Sequence, residues 1–252
     1  MRSIQLTAKQ RELYKRNILL SGVGESGQEK LLNSGVLLVG AGGLGSPVAF
    51  YLAAAGVGRI GLIDADTVGL SNLQRQILHT VPDLGRPKVI SAAEKLQALN
   101  PDLTVETYQK FFDLETAAAL IPNYDIVIDC TDNFPARYNI NEACIKYGKP
   151  FVYGGVLAWS GQIFTILPGK GPCFRCIFRN EPPSTAPSTS ELGVLGAVPG
   201  VIGTLQAAEA IRYLLGTGEL LVGRMLVYDA LSAAFSEISL ERDSSCPACG
   251  KL

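Results

Sequence analysis

The sequence predicts an α/β protein on a Rossmann-like, doubly wound sheet whose parallel first half continues into a more antiparallel second half. Three observations predict it. Short apolar runs alternate with helical stretches through the first 155 residues. One of those runs, Val36-Leu-Leu-Val39, leads into the glycine-rich turn Gly40-Ala-Gly-Gly-Leu-Gly45. Beyond residue 155 the apolar runs give way to the two-residue alternation of half-buried strands.

The elements follow in order. Thr7-Ala-Lys-Gln10 reads as a capping box that starts a helix over 8–17, carrying Arg11, Lys15 and Arg16. A second helix is expected over 25–33. Residues 35–39 are apolar on both faces, as a central parallel strand requires. An alanine-rich helix over 44–55 and a strand over 59–63 follow. Lys88 opens or sits early in a helix that runs to about Leu99, where Asn100-Pro101 stops it. Residues 103–108 alternate as a strand, 114–120 form a helix, and 125–129 form another buried strand. A helix over 135–147 and a strand over 151–153 complete the alternating half. Strands are then expected over 162–167, 225–228 and 235–240, with a long helix over 201–215. Residues 180–190, rich in Pro, Ser and Thr without periodicity, read as a mobile loop. There is no internal repeat and no separate linker, so residues 1–252 read as one domain, with N-terminal helices in 1–34, a nucleotide-binding half in 35–155 and a second half in 156–252.

Composition narrows the function. The chain has 252 residues, 47% hydrophobic and 18% charged, enough for an ordinary buried core. A net charge of −1 offers no electrostatic attraction to nucleic acid or to an anionic membrane. No apolar run reaches a membrane span, and the first ten residues lack a signal-peptide core, so a cytoplasmic protein is expected. The chain has one histidine, His79. Sites built on several His are impossible, and His79 reads as structural.

The glycines of the 40–45 turn let backbone N–H groups approach phosphate, and the helix behind them adds its positive dipole end. Asp64, at the end of the next strand, is placed for ribose hydroxyls, which suits NAD and ATP equally. No P-loop sequence is present. Arg75 and Lys88 favour ATP, because cleaving it requires cations to stabilise a departing pyrophosphate. Asp132 sits at the carboxyl end of the 125–129 strand, where a carboxylate can hold Mg²⁺ between phosphates. Each of these residues also has a plain alternative: Arg75 and Lys88 as surface charges, Asp132 as the cap of the following helix.

Four of the six cysteines form two pairs, Cys173-Phe-Arg-Cys176 and Cys246-Pro-Ala-Cys249. This spacing suits a structural zinc site with four thiolates, against unrelated thiols or a redox pair. Cys130 and Cys144 read as small buried residues.

Taken together, Leu70-Ser-Asn-Leu-Gln-Arg-Gln76, Gly85-Arg-Pro-Lys88 and Asp129-Cys-Thr-Asp-Asn133 resemble the MoeB/ThiF family, relatives of ubiquitin-activating enzymes. The resemblance runs from Tyr14-Lys-Arg16 to the last cysteine pair. It implies ATP-dependent adenylation of the C-terminal Gly-Gly carboxylate of a ubiquitin-fold sulfur carrier (MoaD/ThiS-like), for molybdopterin, thiamine or a related thio-cofactor. It implies that Gly43, Asp64, Ser71, Asn72, Leu73, Gln74, Arg75, Lys88, Asp132 and Asn133 bind ATP. Asp132 would hold Mg²⁺ and, with Arg75, Lys88 and Arg16, carry the catalysis. Arg16 would reach the site of the other subunit of a homodimer. The second half, with Zn²⁺ on Cys173, Cys176, Cys246 and Cys249, would bind the carrier. Many relatives place a cysteine in the loop that here reads Ser184-Thr-Ala-Pro-Ser-Thr-Ser-Glu191. Its absence argues against a covalent enzyme–carrier intermediate and for a separate sulfur donor. The competing readings are an NAD-dependent oxidoreductase, which gives Arg75 and Lys88 no task, and a non-catalytic nucleotide-binding scaffold.

Overall fold

A computed structural model of the chain describes residues 5–183 and 189–250. In chain order the elements are α1 (Ala8–Leu13), α2 (Lys15–Ile18), α3 (Gly24–Leu32), β1 (Gly35–Val39), α4 (Gly45–Ala55), β2 (Arg59–Ile63), α5 (Lys88–Leu99), β3 (Thr104–Tyr108), α6 (Leu114–Leu120), β4 (Ile126–Asp129), α7 (Phe134–Tyr147), β5 (Phe151–Leu157), β6 (Ser160–Ile166), α8 (Phe174–Ile177), α9 (Thr189–Leu192), α10 (Ala197–Leu215), β7 (Arg224–Asp229) and β8 (Ala234–Ser239). One eight-stranded sheet joins the strands in the order β3-β2-β1-β4-β5-β6-β7-β8. Pairs from β3 through β5 are parallel, and pairs from β5 to β8 are antiparallel.

The sheet is covered on both faces, and the side-chain alternation of its strands shows how. Val36 and Leu38 of β1 pack with Val48 and Leu52 of α4 and Ile202 and Ala207 of α10. Leu37 and Val39 of the same strand pack with Tyr138 and Ile140 of α7 and Phe174 of α8. Every β1 residue is therefore buried, which is why the strand reads as an unbroken apolar run. The antiparallel end is thinner, and β8 is exposed along its length. Against α4, α10 lies so close that a Cβ on Gly203 would sit 2.5 Å from the Leu44 carbonyl oxygen.

The expected N-terminal helix and the expected 180–190 loop need correction. The helix over 8–17 is two short helices broken at Tyr14, with the Thr7 capping box intact. Tyr14 is buried, and its hydroxyl accepts a hydrogen bond from Asn100 Nδ2 at 3.0 Å, which turns the chain inward. The expected loop over 180–190 gives way at its end to α9, which begins at Thr189, while residues 184–188, including most of the segment without a cysteine, lie outside the described residues. Among the described residues no helix is long and apolar enough to cross a membrane.

Candidate nucleotide and metal sites

Parallel strands β1, β2 and β4 end on the same sheet edge, and the expected site residues lie in the connections that leave it. Gly40 leaves β1 at φ +103°, and a Cβ there would stand 2.6 Å from the Cys130 carbonyl oxygen. A Cβ at Gly45 would stand 2.2 Å from the Gly40 carbonyl oxygen. The turn therefore closes onto its own backbone, and only glycine fits at either end. Helix α4 starts at Gly45, so the positive end of its dipole faces this edge, although the Ser46 N–H is already spent on the Gly42 carbonyl at 2.9 Å and Pro47 has none to offer.

Asp64, just after β2, accepts hydrogen bonds from the Ala41 N–H at 2.8 Å and from the Asp66 N–H at 2.8 Å. Each oxygen keeps a further lone pair for a ribose hydroxyl. The carboxylate thus has a second task not read from the sequence: it ties the glycine turn to β2.

The motif over 70–76 begins with a 3₁₀ turn, Leu70–Asn72, which Asn72 fastens by accepting from the Gly69 N–H at 2.9 Å. Arg75 Nη1 donates to the Ser71 carbonyl at 3.1 Å, and its stem runs 3.4 Å from where a Gly43 Cβ would be. Arg75 has no carboxylate partner among the described residues, so its charge remains available beside the turn. The Gln74 backbone packs against Gly196, at the start of α10. Ser71 and Gln74 are exposed, while Leu73 is half-buried.

Lys88 is the first residue of α5, one of the two placements expected, but it is no surface charge: it is buried, and its Nζ lies 2.8 Å from Asp66. Asp132, two residues beyond Cys130, is exposed, and no hydrogen bond or ion pair holds it among the described residues. The helix-cap alternative for Asp132 fails, because Asn133 Oδ1 accepts from the Ala136 N–H at 3.0 Å and caps α7. Beneath it, the fully buried Asp129 accepts from the Thr131 N–H and hydroxyl at 3.0 and 2.7 Å. Arg137 donates to the Thr131 carbonyl at 3.0 Å. Burial pushes the Asp129 carboxyl up, and the Arg137 guanidinium opposes it. Asp129 and Arg137 therefore shape the turn that presents Asp132. Arg16, on α2, is exposed and has no ion pair among the described residues.

His79 lies under the turn, 4% exposed. Its Nε2 is 2.9 Å from the Ala41 carbonyl and its Nδ1 is 2.9 Å from Ser91 Oγ on α5. A lone histidine, with partners 38 and 12 residues away, gave no signal of this arrangement.

The four paired cysteines converge. Their sulfurs all lie within 4.8 Å of one another, with Cys173–Cys246 at 3.6 Å, Cys173–Cys176 at 3.8 Å and Cys176–Cys249 at 3.4 Å. A tetrahedral zinc with bonds of about 2.3 Å separates its sulfurs by about 3.8 Å, so the donor set fits that ion. None of the four is in a disulfide. Cys130 and Cys144 are buried elsewhere, and burial pushes both thiols well up, which suppresses the nucleophilic thiolate.

A model of the ThiF family matches residues 14–248. The sulfur carrier protein adenylyltransferase of Thermus thermophilus is 46% identical over 250 residues, spanning 97% of this chain and 92% of that protein. The SAMP-activating enzyme E1 of Haloferax volcanii is 44% identical, spanning 99% of this chain and 92% of that protein. The adenylyltransferase and sulfurtransferase MOCS3 of Dictyostelium discoideum is 47% identical, but this chain spans only 57% of its length. Among solved structures, E. coli MccB with ATP superposes at a TM-score of 0.80 and 25% identity, over 94% of this chain and 74% of that one. The same enzyme with AMPCPP and MccA also superposes at 0.80, over 88% and 68%.

Proposed function

The chain belongs to the ThiF family, and from that premise we propose how it works: it is an adenylyltransferase that activates the C-terminal Gly-Gly carboxylate of a ubiquitin-fold sulfur carrier with ATP. The observation that carries the reading is Arg75 beside the glycine turn, with no carboxylate partner among the described residues, together with the buried Lys88. An oxidoreductase has no use for two cations beside its pyrophosphate, whereas a departing pyrophosphate needs them.

The carrier's carboxylate oxygen attacks the α-phosphorus, the bond to the β-phosphate breaks, and pyrophosphate leaves with the electron pair. The product is a mixed anhydride that sulfur can attack. No enzyme nucleophile takes part, in keeping with a site that lacks an activated Cys or His. The backbone N–H groups of the 40–45 turn orient the phosphates, and Asp64 holds the ribose. Ser71 to Arg75, with Lys88, line the triphosphate, and Arg16 from a second subunit would add a cation. Asn133 commits its side-chain oxygen to the α7 cap, so the amide nitrogen is what it offers the nucleotide. Asp132 would hold Mg²⁺, which neutralises charge on the phosphate oxygens when bound. The four-thiolate set would hold Zn²⁺ as a structural ion with no open position.

The nucleotide-binding half over 35–155 and the carrier-binding half over 156–252 are part of this proposal, as is a homodimer. So is a cytoplasmic setting, where cysteines stay reduced. With Cys130 and Cys144 buried, a separate protein or sulfide supplies the sulfur. The test is ATP–pyrophosphate exchange with a panel of Gly-Gly-ending carriers, from molybdopterin and thiamine pathways among others. Exchange with one carrier is expected and identifies the pathway; exchange with none would defeat the reading.

A further inference from the structure

We propose that His79 is a positioning residue that clamps the phosphate-binding turn to the helix carrying Lys88, and so sets the affinity for the triphosphate. The inference rests on the adenylation reading above.

The hydrogen-bond directions are fixed by chemistry. The Ala41 carbonyl can only accept, so Nε2 carries the imidazole proton and donates to it at 2.9 Å. Nδ1 then accepts from the Ser91 hydroxyl at 2.9 Å. Ser91 Oγ in turn accepts from Lys95 Nζ at 2.9 Å, and Lys95 is anchored on Asp83 at 2.6 Å. The chain needs a neutral imidazole. Burial pushes the ring below its ordinary pKa; the Ala41 bond opposes this and the Lys95 and Lys88 charges assist it.

Three segments meet at this ring. His79 itself follows the 70–76 motif, and its backbone N–H donates to the Gln76 carbonyl at 3.0 Å. Ser91 stands one turn after Lys88 in α5. Ala41 is the second residue of the glycine turn, and its N–H is held separately by Asp64. In a planar trans peptide the C=O and N–H point in opposite directions. A ring that holds the Ala41 carbonyl inward therefore turns the Gly42 N–H away from the core, toward the edge where phosphate binds. A turn free to rotate that peptide would lose this donor.

The experiment compares His79→Gln and His79→Asn in the intact protein. The longer amide reaches Ala41 as Nε2 does, while the shorter one stops at the Ser91 side. Calorimetric titration with MgATP is expected to give a Kd raised roughly tenfold or more for His79→Asn and less than about threefold for His79→Gln, as small misplacements of phosphate donors do. The inhibition constant of adenosine, which lacks phosphates, stays unchanged in both. Equal ATP affinity in His79→Asn overturns the clamp, and so does an equal loss for adenosine and ATP, which marks general unfolding. If His79→Asn does not fold, Ser91→Ala decides: about threefold weaker ATP binding is expected, and wild-type affinity overturns the proposal. Wild-type protein that fails to bind MgATP overturns the adenylation reading itself, a result distinct from failure of the clamp.

Discussion

Lys88 Nζ lies 2.8 Å from Asp66, and the two side chains differ sharply in exposure, 6% against 64%. The backbone repeats the contact, since the Lys88 N–H donates to the Asp66 carbonyl at 3.0 Å. The ammonium is thus aimed by a carboxylate that remains well hydrated and can release it to a phosphate oxygen at little cost. Replacing Lys88 by Met keeps the stem and removes the charge. Exchange should fall by about 10²–10³-fold, the scale of a lost transition-state electrostatic contact, with thermal stability unchanged or higher, because a buried charge is gone. A variant that unfolds instead would mean the ion pair is structural.

Asp132 offers the opposite contrast, an exposed carboxylate with no partner among the described residues. Asp132→Ala should leave unfolding free energy within about 0.5 kcal/mol of wild type, as surface substitutions do, while exchange drops by about 10²–10³-fold. Measured together by urea titration and pyrophosphate exchange, the pair of results separates catalysis from scaffold. Unaltered exchange would remove Asp132 from the metal role.

The sequence made some of this easy to read and hid the rest, for physical reasons. Strands β1 and β2 are buried on both faces and so appear as apolar runs with clean ends. The sequence pattern shows strand β5 only over 151–153, because Gly154 and Gly155 interrupt it, whereas the strand runs to Leu157. A Cβ at Gly154 would lie 2.5 Å from the Gln206 side chain, and one at Gly155 would lie 2.3 Å from the Tyr153 hydroxyl, so the glycines mark close packing rather than a strand end. Helix α10 begins at Ala197, earlier than expected, because Pro199 falls in its first turn, where a missing N–H costs nothing. In the site, the residues that face the ligand lie in short local motifs and were legible. The residues that hold those motifs, His79 and Ser91, touch partners brought together by the fold and leave no local spacing to detect.

The cysteine cluster joins α8 to the C-terminal segment through side chains that are part of the core on one sheet face. Freshly purified protein should contain one zinc per chain, and Cys249→Ser or chelation should lower Tm by about 5 °C or more, corresponding to a loss near 2 kcal/mol in a domain of this size. Protein without zinc, or a Tm indifferent to chelator, would leave the thiols as ordinary core residues.

Acid should weaken the fold through Asp83. This carboxylate is buried in the turn Val81–Asp83 and accepts from the Thr80 N–H and hydroxyl, each at 2.7 Å, from Lys95 at 2.6 Å and from Arg86 at 3.1 Å. Burial alone would raise its pKa, but the bonds from Lys95 and Thr80 and the Lys95 charge outweigh it and hold the carboxyl well below the ordinary value. A carboxylate depressed in the folded state contributes stability that is fully present above its unfolded pKa of about 3.9. That contribution is lost as pH falls from there through the folded value. Asp83→Asn should therefore cost about 2 kcal/mol at pH 7, the worth of charged hydrogen bonds. The gap to wild type should narrow steadily below about pH 4. Urea unfolding across pH 3–7 reads this directly, and a gap of constant size would show that the carboxylate does not titrate as its partners require. The same substitution loosens Lys95, and through Ser91 the imidazole of His79, so its MgATP affinity at pH 7 should fall in the same direction as that of Ser91→Ala.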